Sequence, residues 1–269
     1  MKKLLATLAV TGLLALPATN VLAVDATPEA KEKGFEISAR SDRSDRGFGD
    51  SRVALKMVLR NAAGAETSRD MEITTLELPD EQIGDRSLLT FSSPRDIEGT
   101  ALLSHAKILD PDDQWLYLPA LKRVKRISSA NKSGPFVGSE FAFEDITAQE
   151  LNKFDHLWVR EEACGELICD VVERYPLYEN SGYTRQLAWI DQTDFQVRKV
   201  EYYDRKDDLL KTQTFEDYRL YNDQFWRAQV FRMVNHQTGK STDLVFGDYK
   251  FGLELDEDDF VRGVLRRQR

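Results

Sequence analysis

The sequence predicts a mainly β fold, an antiparallel sheet that curls into a barrel or folds over as a sandwich. Three observations predict it. Apolar residues recur with period two along most of the chain. Turn-forming clusters interrupt that alternation at short intervals: Gly182, residues 191–194, residues 204–208, Asn222-Asp223 and Thr238-Gly239. Helix-start signals, by contrast, occur at two places only.

Lys2 and Lys3 precede an apolar run over residues 4–16, followed by Pro17 and the small-residue ending Val21-Leu22-Ala23. This is the pattern of a secretory leader cleaved after Ala23, and a run of about 13 apolar residues is short of the roughly 20 a membrane helix needs. No cysteine follows the cleavage site to carry a lipid anchor. Thr27, Pro28 and Glu29 then supply an N-cap, a first-turn proline and a first-turn acid. The helix they open carries a thin apolar stripe, Phe35 and Ile37, among many charges, and ends at Gly47 and Gly49.

Beyond it Val53, Leu55, Met57 and Leu59 alternate with Ala54, Lys56, Val58 and Arg60, the signature of a half-buried strand. Residues 61–64 turn the chain, and Met71 and Ile73 mark the partner strand. Further strands are expected at residues 88–91, 101–109, 157–159, 168–175, 183–190, 197–203, 210–220, 225–234 and 242–249, about eleven in all with those around Trp115. A second helix is expected near residues 145–152, capped by Asp145 or Thr147.

Residues 110–146 organise the middle of the chain. An Asp-Pro-Asp-Asp turn leads to a short strand with Trp115 and Tyr117 on one face and Leu116 and Leu118 on the other, so both faces are apolar. Pro119 ends it. A second short strand sets Val124 and Ile127 among Lys122, Arg123, Lys125 and Arg126. Those cations suit a solvated, edge-protecting hairpin, and equally a contact for a phosphate headgroup or an acidic partner. Next, a stretch rich in Ser, Asn and Gly (residues 128–134) delivers Phe136, Val137, Phe141 and Phe143, which together read as a mobile cover over an apolar hollow.

At 41% hydrophobic residues the chain can bury a full core, and no linker divides it. Its net charge is −9, and removing the leader's two lysines makes it −11, which argues against nucleic acid and against tight adsorption to anionic lipid. The cysteines Cys164 and Cys169 flank a Gly-containing turn. In an exported protein such a pair reads as a local disulfide ahead of free thiols, since a redox pair has two intervening residues and zinc needs more ligands. His105, His156 and His236 lack metal-ligand spacing, no Gly-x-Ser-x-Gly elbow occurs, and Gly134 to Ser139 lacks the lysine of a phosphate loop. The acids at 110–113 and 256–259 read as a turn and a solvated run. No enzyme activity, metal or cofactor is expected.

The blocks DDQWLYLPALKRVKRI and SGPFVGSEFAFEDI, with GFGDS at residues 47–51, DIEGTALL at 96–103, WID at 189–191 and VEYYD at 200–204, resemble the outer-membrane lipoprotein-sorting proteins, relatives of the lipoprotein carrier LolA. The resemblance implies one LolA-like lipid-carrier domain over residues 24–269: an unclosed antiparallel β-barrel whose concave face is covered by helices and loops. It implies a periplasmic carrier that shuttles lipid or lipoprotein acyl chains between inner and outer membrane, touching membranes only transiently. An inner-membrane transporter of RND/MMPL or ABC type would load it, and an outer-membrane acceptor could receive the cargo. The alternative is an RseB-like lipid sensor that regulates a membrane partner. LolA's latching arginine matches no arginine here.

A chain of about 16 carbons gains on the order of 10 kcal/mol on leaving water, so a carrier needs large, adaptable apolar walls and no directed polar group. The candidates are Leu55, Met57, Met71, Phe91, Trp115, Tyr117, Phe141, Phe143, Trp158, Trp189, Phe231 and Met233. Each could equally be ordinary core.

Overall fold

Thr27 caps the α-helix as its sequence predicts: its hydroxyl accepts a hydrogen bond from the Ala30 amide at 3.2 Å, and Pro28 occupies the first turn. The computed structural model describes residues 26–78 and 83–267; the expected leader, residues 1–23, lies outside the described residues. Helix α1 (Pro28–Ser44) leads into strands β1 (Asp50–Arg60), β2 (Glu66–Leu76), β3 (Ile83–Ser93), β4 (Ala101–Lys107), β5 (Asp113–Leu118) and β6 (Arg123–Ile127). After a long irregular segment come β7 (Phe154–Cys164), β8 (Leu167–Pro176), β9 (Arg185–Asp191), β10 (Val197–Tyr203), β11 (Leu209–Tyr221), β12 (Phe225–Asn235), β13 (Ser241–Phe246) and β14 (Lys250–Phe251).

All of them join one sheet in the order β6-β5-β4-β3-β2-β1-β13-β12-β11-β10-β9-β8-β7, with β14 beside β1. Every pairing within it is antiparallel; most join sequence neighbours through short turns, while β1 pairs with the distant β13 and β14 and so joins the two halves of the sheet. The two end strands β6 and β7 do not pair, so the barrel is unclosed as expected. It nevertheless curls: a single apolar cluster takes Ile127 from β6, Val172 from β8 and Trp158 from β7 together with Val53, Leu55 and Met57 of β1. A flat sheet of this width could not bring its two ends into one cluster.

Two expectations are corrected. The sheet has fourteen strands among the described residues against about eleven expected. The second helix near residues 145–152 is absent: the segment holds two short 3-10 turns, Phe143–Asp145 and Leu151–Lys153. The carboxylate meant to cap a helix, Asp145, is instead bonded to Lys211 on β11 and to Tyr183 in the segment before β9, so tertiary bonds outcompete the local cap.

Helix α1 lies against β7, with Ile37 in the common core and Phe35 edge-on to His156 at 5.9 Å. Close approach is possible because Gly34 sits at the crossing: a Cβ there would lie 2.5 Å from the Trp158 nitrogen and 2.8 Å from the Leu157 carbonyl carbon. Replacing a helical glycine by alanine normally stabilises by about 1 kcal/mol. Here backbone overlap, costing roughly 1–3 kcal/mol, outweighs that gain. Gly34→Ala is therefore expected to lower the urea midpoint; a raised midpoint would show that the helix is not seated on β7 as described.

Candidate functional site

The segment between β6 and β7 enters the barrel. Phe136, Phe141 and Phe143 are buried and join Met57, Met71, Phe91 and Met233 in the central cluster, with Phe136 stacked on Phe91 at 5.8 Å and edge-on to Phe143 at 5.5 Å. The sequence reading made this stretch a mobile cover. In the structure it is a plug, filling part of the concave space with its own aromatic rings.

Buried polar bonds hold the plug. Asp145 pairs with Lys211 of β11 at 2.6 Å and accepts from the Tyr183 hydroxyl at 2.8 Å. Lys211 also donates to the Glu140 carbonyl at 3.0 Å, while the Glu140 carboxylate accepts from Asn235 at 2.7 Å. Glu144 accepts from Tyr178, Ser181 and the Gly182 amide at 2.8–3.0 Å. Its pKa is nonetheless pushed up, chiefly by burial. Arg69 donates to the Val137 carbonyl. At the base of the segment Lys153 forms a buried pair with Asp112.

Beside the plug the concave face is open. A cavity of about 430 Å³ lies between the end of α1, the 147–151 loop and the inner faces of β7–β12. A second of about 360 Å³ lies over β1–β4 and shares Phe48, Asp85, Arg227, Phe231 and Tyr249 with it. Volumes of about 300–1,000 Å³ are those of small-molecule sites. Val200, Tyr202, Phe215, Tyr218 and Phe231 supply apolar wall. The rim is charged: Arg46 contacts Asp42 at 3.2 Å and Glu150 at 3.6 Å, and Arg227 pairs with Asp45.

The twelve candidate wall residues divide three ways. Leu55, Met57, Met71, Phe91, Phe141, Phe143, Trp158 and Met233 belong to the central cluster around the plug. Phe231, packed against that cluster, is the one candidate that also lines the cavities. Trp115, Tyr117 and Trp189 are placed on the opposite, convex face. Trp115 and Tyr117 pack under Phe260 and Leu265 of the C-terminal segment, which wraps over β3–β5 and is tied down by Asp50 accepting from the Leu253 and Leu255 amides at 2.7 and 3.1 Å. Trp189 joins Cys169, Val171 and Leu187, with the Lys199 ammonium 3.5 Å from its ring centre. Both faces of β5 and β9 are apolar, so alternation alone gave no inner face.

The basic residues Lys122, Arg123, Lys125 and Arg126 are exposed on the turn and edge strand and line neither cavity; Arg126 pairs with Asp113. Cys164 and Cys169 form the expected disulfide across the β7–β8 turn. Sequence reading missed Arg174, Gln186, Tyr202 and Lys211, all of them polar groups on the inner face. Alternation parity finds three of them: Val172, Ala188 and Val200 are core, so Arg174, Gln186 and Tyr202, each two residues away, share their face.

Two buried groups beside the cavity have displaced pKa values of opposite consequence. Burial, helped by Asp85 and opposed by Arg46 and Lys153, raises Glu150 to about 7. Burial lowers His156 to about 4, against a hydrogen bond to the Leu151 carbonyl at 2.9 Å. Glu150 thus contributes stability that is complete below its unfolded pKa near 4.5 and lost as pH rises to about 7. His156 contributes stability present above about 6.5 and lost as pH falls to about 4. Each is on the order of 3 kcal/mol, so they largely cancel in the intact protein.

Two outcomes are expected. Glu150→Gln makes stability fall more steeply between pH 6.5 and 4, and His156→Gln makes it fall as pH rises from 4.5 to 7; urea titrations that superimpose on the parent protein would contradict this. Lys211→Met leaves Asp145 buried and unpaired, costing about 3–5 kcal/mol. Amide exchange over residues 136–145 should then accelerate relative to the β11–β12 hairpin, and an unchanged plug would refute its role as anchor.

A family model described as "-like: Uncharacterized protein" matches residues 84–267. No curated protein matches the chain. Among solved structures, an outer membrane lipoprotein-sorting protein domain from Vibrio parahaemolyticus is 48% identical, with TM-score 0.85, covering 88% of this chain and 100% of its own. A DUF1329 family protein from Desulfovibrio piger is 25% identical, with TM-score 0.83, covering 88% and 99%. A LolA superfamily protein from Nitrosomonas europaea has the same fold at 20% identity, TM-score 0.69, covering 86% and 98%. With an unclosed β-barrel, a concave cavity and this level of identity over the whole Vibrio domain, the chain belongs to the outer-membrane lipoprotein-sorting protein family and has its LolA-like fold.

Proposed function

We propose that this protein is a periplasmic carrier that takes the acyl chains of a lipid or lipoprotein into its concave cavity and moves them between the inner and outer membranes. The observation that carries the reading is the unfilled, partly apolar space beside the plug, in a family whose Vibrio member is described as lipoprotein-sorting. No helix among the described residues is long and apolar enough to cross a membrane. An inner-membrane transporter would load the cargo. No catalytic step and no cofactor enter the proposal.

Magnitudes support a loading step in which the plug gives way. The cavity holds one chain more readily than several, and space for more lies where Phe136, Phe141 and Phe143 now sit. Separating the Asp145–Lys211 pair costs several kcal/mol. Burying a chain of about 16 carbons returns on the order of 10 kcal/mol. Cargo can therefore drive the plug outward, and docking on an acceptor can let it return.

Native mass spectrometry of protein gently released from its own periplasm tests this. The expected result is a mass excess matching a lipid, lost in Phe231→Asp and kept in Trp189→Leu on the convex face, with both variants folded by circular dichroism. Protein that is free of cargo and takes up no fluorescent fatty acid would contradict the proposal.

A further inference from the structure

Six residues lie opposite one another across six neighbouring strands, from His156 on β7 through Arg174, Gln186, Tyr202 and Lys211 to Asn235 on β12. Register partners share a face, so they form one polar row across the inner wall. The plug satisfies one end of it: Asp145 pairs with Lys211 and Glu140 accepts from Asn235. The other end has no such partner. Arg174 lines the cavity with no carboxylate in ion-pair range among the described residues, and its Nε is buried without a hydrogen bond.

Five buried side-chain polar atoms lack a partner among the described residues, and three of them, Arg174 Nε, His156 Nδ1 and Ser38 Oγ, belong to residues that line this same cavity. Such groups are costly unless something completes them. The chemistry asked of that partner is specific. A guanidinium is completed most strongly by an anionic oxygen. His156 Nε2 faces the Leu151 carbonyl and must carry the hydrogen, which leaves Nδ1 of the neutral ring as an acceptor in need of a donor. Burial favours that neutral ring.

We propose that the Arg174 end of the row is a headgroup site for a phospholipid whose head carries both a phosphate and a hydroxyl or ammonium, the phosphate on Arg174 and the donor on His156 Nδ1. The ligand's phosphate would do for Arg174 what Asp145 does for Lys211, with the acyl chains passing along Phe215 and Phe231. This deepens the carrier reading and rests on it. A fatty acid carboxylate could meet Arg174 but brings no donor for His156.

The test is calorimetric titration of the delipidated full-length mature protein with dioctanoyl phosphatidylglycerol, dioctanoylglycerol, octanoate and inorganic phosphate. The parent protein is expected to prefer phosphatidylglycerol to dioctanoylglycerol at least tenfold. Arg174→Met should erase that preference while holding dioctanoylglycerol within about twofold, Arg174→Lys should keep part of it, and octanoate should be indifferent to His156→Gln. Arg174→Met should also raise the melting temperature of the ligand-free protein, since it removes a half-buried cation whose Nε is enclosed without a partner. A preference that survives Arg174→Met, a lowered melting temperature, or inorganic phosphate binding as tightly as the lipid would overturn the headgroup site. Equal binding of the two glycerolipids by the parent protein would overturn it and leave the carrier reading standing. Binding of neither would remove both.

Discussion

The ion pair between Asp145 and Lys211 is the interaction on which the interior of this protein turns. An unclosed sheet of this width has more inner face than one helix can cover, and α1 packs mainly on β7 with lesser contact to β8 and β9. The rest must be covered by the segment between β6 and β7, whose backbone lacks the strand or helix ladder that would hold it. Lys211 supplies that hold from the middle of the inner wall, reaching both the Asp145 carboxylate and the Glu140 carbonyl. With the segment pinned there, its phenylalanines fall among Met57, Phe91 and Met233, and the volume next to it, over Arg174 and Phe231, stays empty.

The same wall therefore has two halves of different character. Around the plug it is close-packed core, where shape matters and each ring has neighbours on all sides. Over β7–β12 it is an amphipathic chamber in which aromatic surface alternates with a polar row and a charged rim. A purely greasy hollow, the expectation from composition, would accept any hydrocarbon. On the proposal above, a chamber with an unpaired arginine and an orphaned imidazole nitrogen would distinguish among heads as well as tails, because only some heads can complete those groups.

Much of this was legible in the chain. Period-two alternation placed nearly every strand, Thr27-Pro28 placed the helix start, and the two cysteines paired as their spacing suggested. Failures have a common physical source: alternation separates two faces but does not say which is inner when both are apolar. On β9 the large Trp189 points outward to meet Lys199 while the small Ala188 points in, since the inner face must leave room for the plug. On β5 the outer face is apolar because a C-terminal segment more than a hundred residues away covers it. Residues 145–152 have a good local helix cap, yet its Asp145 carboxylate serves Lys211 on β11 and Tyr183, both far away in sequence. Long-range partners of that kind leave no trace in local pattern.

The proposed carrier requires the space beside the plug to be a binding chamber for an amphiphile. A crystal structure with a phosphatidylglycerol brominated on its acyl chains tests it most directly. Anomalous bromine peaks are expected within the concave face beside Phe215 and Phe231, with phosphate density against Arg174. Bromine found only on the convex surface, and a chamber holding water alone, would contradict it.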